Sequence, residues 1–266
     1  MKIKSLKLIC FSPTGTTRAV VEGIAYGIGH NNVEMIDITS PIAREQQLYT
    51  YEDELLIIAV PVYMGRVPAL LNEWLHSIKA PNTPVVCVVV YGNRVFDNSL
   101  LELKDIMIKC GCIPIAGAAF IGEHSFSSPD TPIAEGRPDA YDINHAELFG
   151  HKINEKLLAM TTPDQIACIN IPGNYPYGGV TNLWSIDFIA ISDVCTHCGI
   201  CAVGCPVGAI DTKNSKQIDI EKCITCCACI KNCPQKARTL KPGPVKEAAM
   251  RLNRLFKERK EPVYFL

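Results

Sequence analysis

A chain of 266 residues, 48% hydrophobic and 20% charged, is long enough for two domains, and its net charge of −1 exerts no overall pull toward nucleic acid or anionic lipid. The opening "MKIKSLKLICFSPTG" breaks at Ser12 and Pro13 before a signal-peptide core is complete, and no apolar run reaches the length of a membrane span. A cytoplasmic protein with neither a nucleic-acid partner nor a membrane span is the expectation.

From the N-terminus, apolar strands alternate with amphipathic helices. "LKLICFS" reads as a strand, followed by "PTGTT" and a helix from about Arg18 to Ile28. "VEMIDIT" and "ELLIIAVPVY" are two further strands, "ALLNEWLHSI" is helical, "PVVCVVVYG" is a fourth strand and "NSLLELKDIMIKCG" a helix stopped by glycine. "IPIAGAAFIGEHS" is the fifth strand, and a helix from about Ala140 to Met160 puts Ile143, Ala146, Phe149, Ile153 and Leu157 on one face. Continuous apolar strands between helices imply a parallel sheet covered on both faces, here an α/β doubly wound sheet of five strands. In such a sheet, ligands bind beyond the carboxyl ends of the strands.

Three strand ends carry unusual loops. In "FSPTGTTR" (Phe11 to Arg18), small hydroxyl residues and a glycine suit either a phosphate held at a helix N-terminus or a threonine-rich helix cap. No G-x-x-x-x-G-K-[ST] is present, which excludes a nucleoside-triphosphate P-loop. "PVYMGRVP" (Pro61 to Pro68) and "YGNRVFD" (Tyr91 to Asp97) each place a tyrosine and a glycine at a strand end on the same edge. Such tyrosines can cover a flat ring ligand, or serve as aromatics at the rim of the core. His124, in "GEHSF", is either a proton donor or a structural loop histidine.

Residues 161–188 form a connector whose prolines and glycines break any helix, while its aromatics and aliphatics indicate a packed strap. Beyond it the cysteines crowd. Of fourteen, nine lie between 195 and 233, which indicates metal ligation in a reducing compartment. Cys10, Cys87, Cys110, Cys112 and Cys168 are scattered and read as small buried hydrophobes. "CTHCGICAVGCP" and "CITCCACIKNCP" both spell C-x2-C-x2-C-x3-C-P, the spacing of bacterial iron–sulfur proteins in which the fourth cysteine of each run ligates the other cluster. The repeat predicts two sets of metal ligands: Cys195, Cys198, Cys201 and Cys233, then Cys223, Cys226, Cys229 and Cys205. Tetrahedral zinc also uses C-x2-C pairs but does not call for three cysteines in one loop or a doubled Cys-Pro ending. Cys227 is then surplus, at the position of Gly199 in the first copy, where a small side chain is needed. Val245, Ala249, Leu252 and Phe256 mark a basic amphipathic helix over 245–260, within a C-terminal helix and tail at 241–266, whose stripe is expected to dock on the body.

The segment 189–240 resembles a small α+β bacterial-type ferredoxin carrying two [4Fe-4S] clusters. Residues 1–160 resemble a flavodoxin, a domain that binds FMN. The order "FSPTGTT", "PVYMGRVP", "YGNR", "GEHSF" and the doubled cysteine motif resembles flavodoxin–ferredoxin fusion proteins over nearly the full chain. That resemblance implies phosphate contacts from Ser12, Thr14, Gly15, Thr16 and Thr17. It implies ring contacts from Pro61, Val62, Tyr63, Met64 and Gly65, and from Tyr91, Gly92 and Asn93. Arg66 and Arg94 flank these loops; beside the ring a guanidinium would favour the anionic reduced flavin, whereas an acid partner would cancel that effect.

The expected function is electron transfer between two [4Fe-4S] clusters and FMN in anaerobic or microaerobic metabolism, with redox proteins or a small electron acceptor as partners. Two alternatives stand beside it: an FMN-dependent reductase of a quinone or nitro compound, with the clusters as an internal wire, and a redox sensor without turnover. No G-x-G-x-x-G follows a strand, which favours the carrier.

Overall fold

The computed structural model describes residues 3–159, 169–179 and 185–266. Its centre is a sheet of β1 (Ser5–Cys10), β2 (Val33–Asp37), β3 (Glu54–Pro61), β4 (Pro84–Tyr91) and β5 (Ile113–Ile121), joined by α1 (Thr16–Ile28), α2 (Asn72–Ser77) and α3 (Ser99–Lys109). The five strands are parallel in the order β2-β1-β3-β4-β5, the flavodoxin-like doubly wound order.

A sixth strand, β8 (Val263–Phe265), runs antiparallel against β5 and pairs Gly117 with Phe265 and Ala119 with Val263. Three residues at the chain end carry no readable period, so the five-strand expectation missed it. Its partner strand supplies the reason it fits: "AGAA" along β5 leaves room for Tyr264, whose ring stacks on Phe149 at 5.0 Å.

Successive residues of the central strands point to opposite layers. Leu56, Ile58 and Val60 face α2 and α3, while Leu55, Ile57 and Ala59 face α1 and α4 (Ala140–Ala159). Both faces being covered explains why β3 and β4 read as unbroken apolar runs. Cys10, Cys87 and Cys112 are buried in these layers, Cys110 is half-buried, and Cys168 lies outside the described residues. In the described stretch of the connector, Ile169 and Ile171 are buried in the α2/α3 layer.

α1 and α4 cross backbone to backbone. A Cβ on Gly27 would lie 2.0 Å from the Glu147 carbonyl oxygen, and one on Gly150 would lie 2.2 Å from that of Ile24. The crossing therefore depends on two glycines, one on each helix.

The cysteine-rich part is built from β6 (Ile189–Ile191) and β7 (Arg238–Leu240), an antiparallel pair, with the short helices α5 (Ile200–Val203) and α6 (Ala228–Lys231) between them. α7 (Pro244–Leu255) then leads back to the sheet. Among the described residues no helix is long and apolar enough to cross a membrane.

Because the Glu147 backbone leaves no space for a methyl group, Gly27→Ala is expected to force α1 and α4 apart and to cost about 2 to 3 kcal/mol of stability. Denaturant unfolding measures this; an unchanged midpoint would show that the helices separate freely.

Candidate functional site

Beyond the carboxyl ends of β1, β3, β4 and β5 lies a cleft of about 610 Å³. Thr14, Thr16 and Thr17 form one end, where α1 begins. Pro61, Val62, Tyr63, Met64 and Gly65 form one side, and Tyr91 and Gly92 the other. The three loops singled out in the sequence thus meet at one place.

Three residues named with them do not line it. Ser12 accepts the Arg18 N–H on its hydroxyl at 3.0 Å and so caps α1. Gly15 precedes the helix in the left-handed conformation (φ 84°). Asn93 is buried and donates from its amide to the carbonyls of Phe256 (2.8 Å) and Glu258 (2.9 Å), clasping the segment after α7.

The first turn of α1 offers backbone N–H groups with no intrahelical acceptor. Beside them Thr17 is 1% exposed and its hydroxyl has no hydrogen-bond partner. A buried orphan hydroxyl in the wall of a cleft is costly unless a ligand oxygen meets it.

Of the two tyrosines, Tyr91 is buried and packs on Phe96 at 5.7 Å, whereas Tyr63 lines the cleft and is half-buried. Burial pushes the Tyr63 phenol well above its ordinary range, and nearby Cys226 and Cys227 add to that effect. Tyr63 and Arg66 close a tight turn through two mutual backbone bonds of 3.0 Å, with Met64 and Gly65 at positive φ between them.

Arg66 donates to both oxygens of Glu102, at 2.8 and 2.7 Å, and lies over the Tyr177 ring at 5.1 Å. Arg94 lines the cleft but pairs with Asp97. Each arginine has its own acid, which offsets its charge at the ring loops.

His124 sits over Gly92, where a Cβ would come 2.3 Å from its Cδ2. Its Nδ1 accepts the Phe126 N–H at 3.0 Å. Burial, reinforced by Lys231 and Arg94, lowers its pKa to about 4, so at neutral pH it is uncharged with the proton on Nε2.

Two further walls were not legible in the sequence. Ile224, Thr225 and Cys226 form one, and Ala248, Arg251 and Leu252 of α7 form the other. The apolar stripe of α7 was visible, but the surface it meets was not.

The cysteines surround two cavities. Cys195, Cys198, Cys201 and Cys233 line one; Cys205, Cys223, Cys226 and Cys229 line the other, with Cys227 beside them. The two runs share a backbone: His197 and Thr225 both have positive φ, as do Gly199 (77°) and Cys227 (56°), which begin α5 and α6. A Cβ on Gly199 would meet nothing within 4 Å, so the shared position demands a left-handed backbone more than a small side chain. After each fourth cysteine, the N–H four residues on donates to its sulfur at 3.3 Å, from Ala209 to Cys205 and from Ala237 to Cys233. Burial pushes the Cys229 thiol up to about 12 and raises those of Cys223 and Cys226, so thiolates there need a cation. Among the described residues no group of three or more His, Cys, Asp or Glu is placed to hold a single metal ion.

Residues 188–234 match the family of 4Fe-4S dicluster domains. No curated protein matches the chain. Among solved structures it is similar to a flavodoxin from the domain Archaea (15% identity, 58% of this chain and 99% of that one, TM-score 0.41). It is also similar to Flavodoxin 1 of Bacillus cereus (16% identity, 59% and 100%, TM-score 0.40) and to a Fusobacterium nucleatum flavodoxin bound to flavin mononucleotide (16% identity, 58% and 99%, TM-score 0.39). The chain joins a flavodoxin-like sheet to a 4Fe-4S ferredoxin-like segment, a pairing consistent with a flavodoxin–ferredoxin fusion.

The wild-type protein, purified anaerobically, is expected to carry about eight irons and eight acid-labile sulfides, and Cys226→Ala about half of each. Cys227→Ala is expected to retain the wild-type content. Equal losses from both variants would show that Cys227 is a ligand.

Proposed function

We propose that this protein is an electron-transfer iron–sulfur flavoprotein that passes electrons between two [4Fe-4S] clusters and FMN. The observation that carries the reading is Cys226, which lines both the second cysteine cavity and the cleft at the sheet edge. A cluster held through Cys226 and a flavin held in this cleft would share one wall.

The residues fit both groups. The N-terminus of α1 and the orphan Thr17 hydroxyl suit a phosphate dianion. Tyr63 offers an aromatic face on the side of the cleft, and His124 a neutral N–H donor between Gly92 and Phe126. The cysteines of each set ring a cavity rather than converge on one point, as a four-iron cubane requires and a single ion does not. When bound, FMN exchanges one or two electrons and each cluster one. The protein's part is to hold them close, exclude water and set their charge environment.

The roof formed by α7 favours a second reading. Ala248, Arg251 and Leu252 add an apolar and cationic wall to the cleft, which suits a small acceptor such as a quinone or nitro compound. Anaerobic assays with NAD(P)H and a panel of acceptors separate a reductase from a carrier.

Thr17→Val removes a hydroxyl whose only available partner is a ligand, so it is expected to weaken FMN binding about tenfold while leaving the flavin-free protein at least as stable. Thr16→Asp is expected to weaken it further by setting a carboxylate against the phosphate. Wild-type affinity in both would reduce the loop to a helix cap. Photoreduction of the flavin followed by freeze-quench EPR tests the transfer itself: a reduced-cluster signal should appear in wild type and form more slowly in Cys226→Ala, which keeps only the set farther from the cleft wall. Flavin reduction without any cluster signal in wild type would overturn the proposal.

A further inference from the structure

Among the described residues Arg238 is the largest fully buried side chain, at 2% exposure, and no carboxylate there pairs with it. Its Nη2 donates to the Ser215 carbonyl, and its Nη1 has no partner. Elsewhere the chain treats a buried guanidinium differently: Arg137, 6% exposed, is paired with the fully buried Asp142. A buried cation without a counter-charge is destabilising unless the groups around it offset its desolvation.

Arg238 is part of the wall of the cavity ringed by Cys195, Cys198, Cys201 and Cys233. The internal repeat supplies a control. Counting from each fourth cysteine, "CPVGAI" places Ile210 where "CPQKAR" places Arg238. Ile210, 4% exposed, walls the other cavity. One structural position is therefore apolar against one site and cationic against its twin. The charge of Arg238 also reaches Cys229 of the second set, where it opposes the rise that burial causes.

We propose that Arg238 is a built-in counter-cation for the anionic group held by Cys195, Cys198, Cys201 and Cys233, and that it makes the two sites electrostatically unequal. The inference rests on the iron–sulfur reading of the cysteines. Four thiolates around an iron–sulfur core carry net negative charge, and each added electron increases it. A guanidinium in a dry wall stabilises the more reduced form, whereas Ile210 offers the twin site no such help. The site walled by Arg238 is thus the easier of the two to reduce.

Redox titration by EPR of the fully loaded protein tests this, with iron and sulfide content measured on the same samples. Wild type is expected to show two distinct potentials. Arg238→Ile, which copies the twin site, should lower the higher one by about a tenfold change in its reduction equilibrium, about 59 mV for one electron. Arg238→Gln should do the same, and Arg238→Lys should keep most of the difference. Repeating Arg238→Ile in the Cys226→Ala background, which retains the Cys195 set, assigns the shift to that site. Loss of iron from Arg238→Ile and Arg238→Gln but not Arg238→Lys also supports a counter-cation. Coincident wild-type potentials, or unchanged potentials in fully loaded Arg238→Ile, would overturn the proposal. Absence of iron and sulfide from wild type would instead overturn the iron–sulfur reading.

Discussion

The arrangement of sites depends on one apolar contact. Ile224, Cys226 and Ala228 are buried in the same cluster as Ile58 and Val60 of β3, Val89 and Tyr91 of β4, and Ile121 of β5. The cysteine-rich part therefore completes the core of the sheet on the side where the strands end. Polar ties hold the same junction: Lys231 to Glu123 and to the Ser127 carbonyl, Asn232 to the Pro13 carbonyl, and Arg44 to the Pro206 carbonyl. Each joins a loop of the cleft or its neighbour to the module carrying the cysteines. Because burial is non-directional, it is these hydrogen bonds that fix the orientation. The loop from Ile224 to Cys226 becomes a cleft wall as a consequence.

Within the cysteine module, local geometry is duplicated and environment is not. The left-handed residues, the short helices and the N–H to sulfur bonds recur in both runs. Yet Cys198 is exposed where its counterpart Cys226 is buried against the sheet, and Arg238 stands where Ile210 does. Iron–sulfur sites are tuned by charge, hydrogen bonds and solvent exposure, so identical spacing need not give identical chemistry.

The C-terminal segment ties the parts together a second time. α7 leaves the cysteine module with Val245 buried beside Phe188 and Cys227, then presents Leu252 to the cleft. Asn93, in a left-handed turn at the end of β4, holds the carbonyls that follow α7, and Arg137 donates to the Lys260 carbonyl at 2.9 Å. β8 completes the closure on β5. Asn93 is a residue of the ring-loop motif whose side chain serves this clasp.

The sequence by itself determined whatever depends on short-range pattern. Apolar runs between amphipathic helices specify a parallel sheet with both faces covered, because period and burial are encoded locally. The doubled C-x2-C-x2-C-x3-C-P determined how the cysteines divide between two cavities, since three closely spaced thiols leave the fourth to a second copy. Only the tertiary structure decided which cavity meets the cleft, because that depends on Ile224 and Ala228 finding apolar partners some 130 to 170 residues away in β3 and β4. It likewise decided that Arg66 answers Glu102 and Arg94 answers Asp97, that Asn93 clasps the C-terminal segment, and that β8 joins the sheet. A charge or a three-residue strand carries no period, and its role is set by what folding places opposite it.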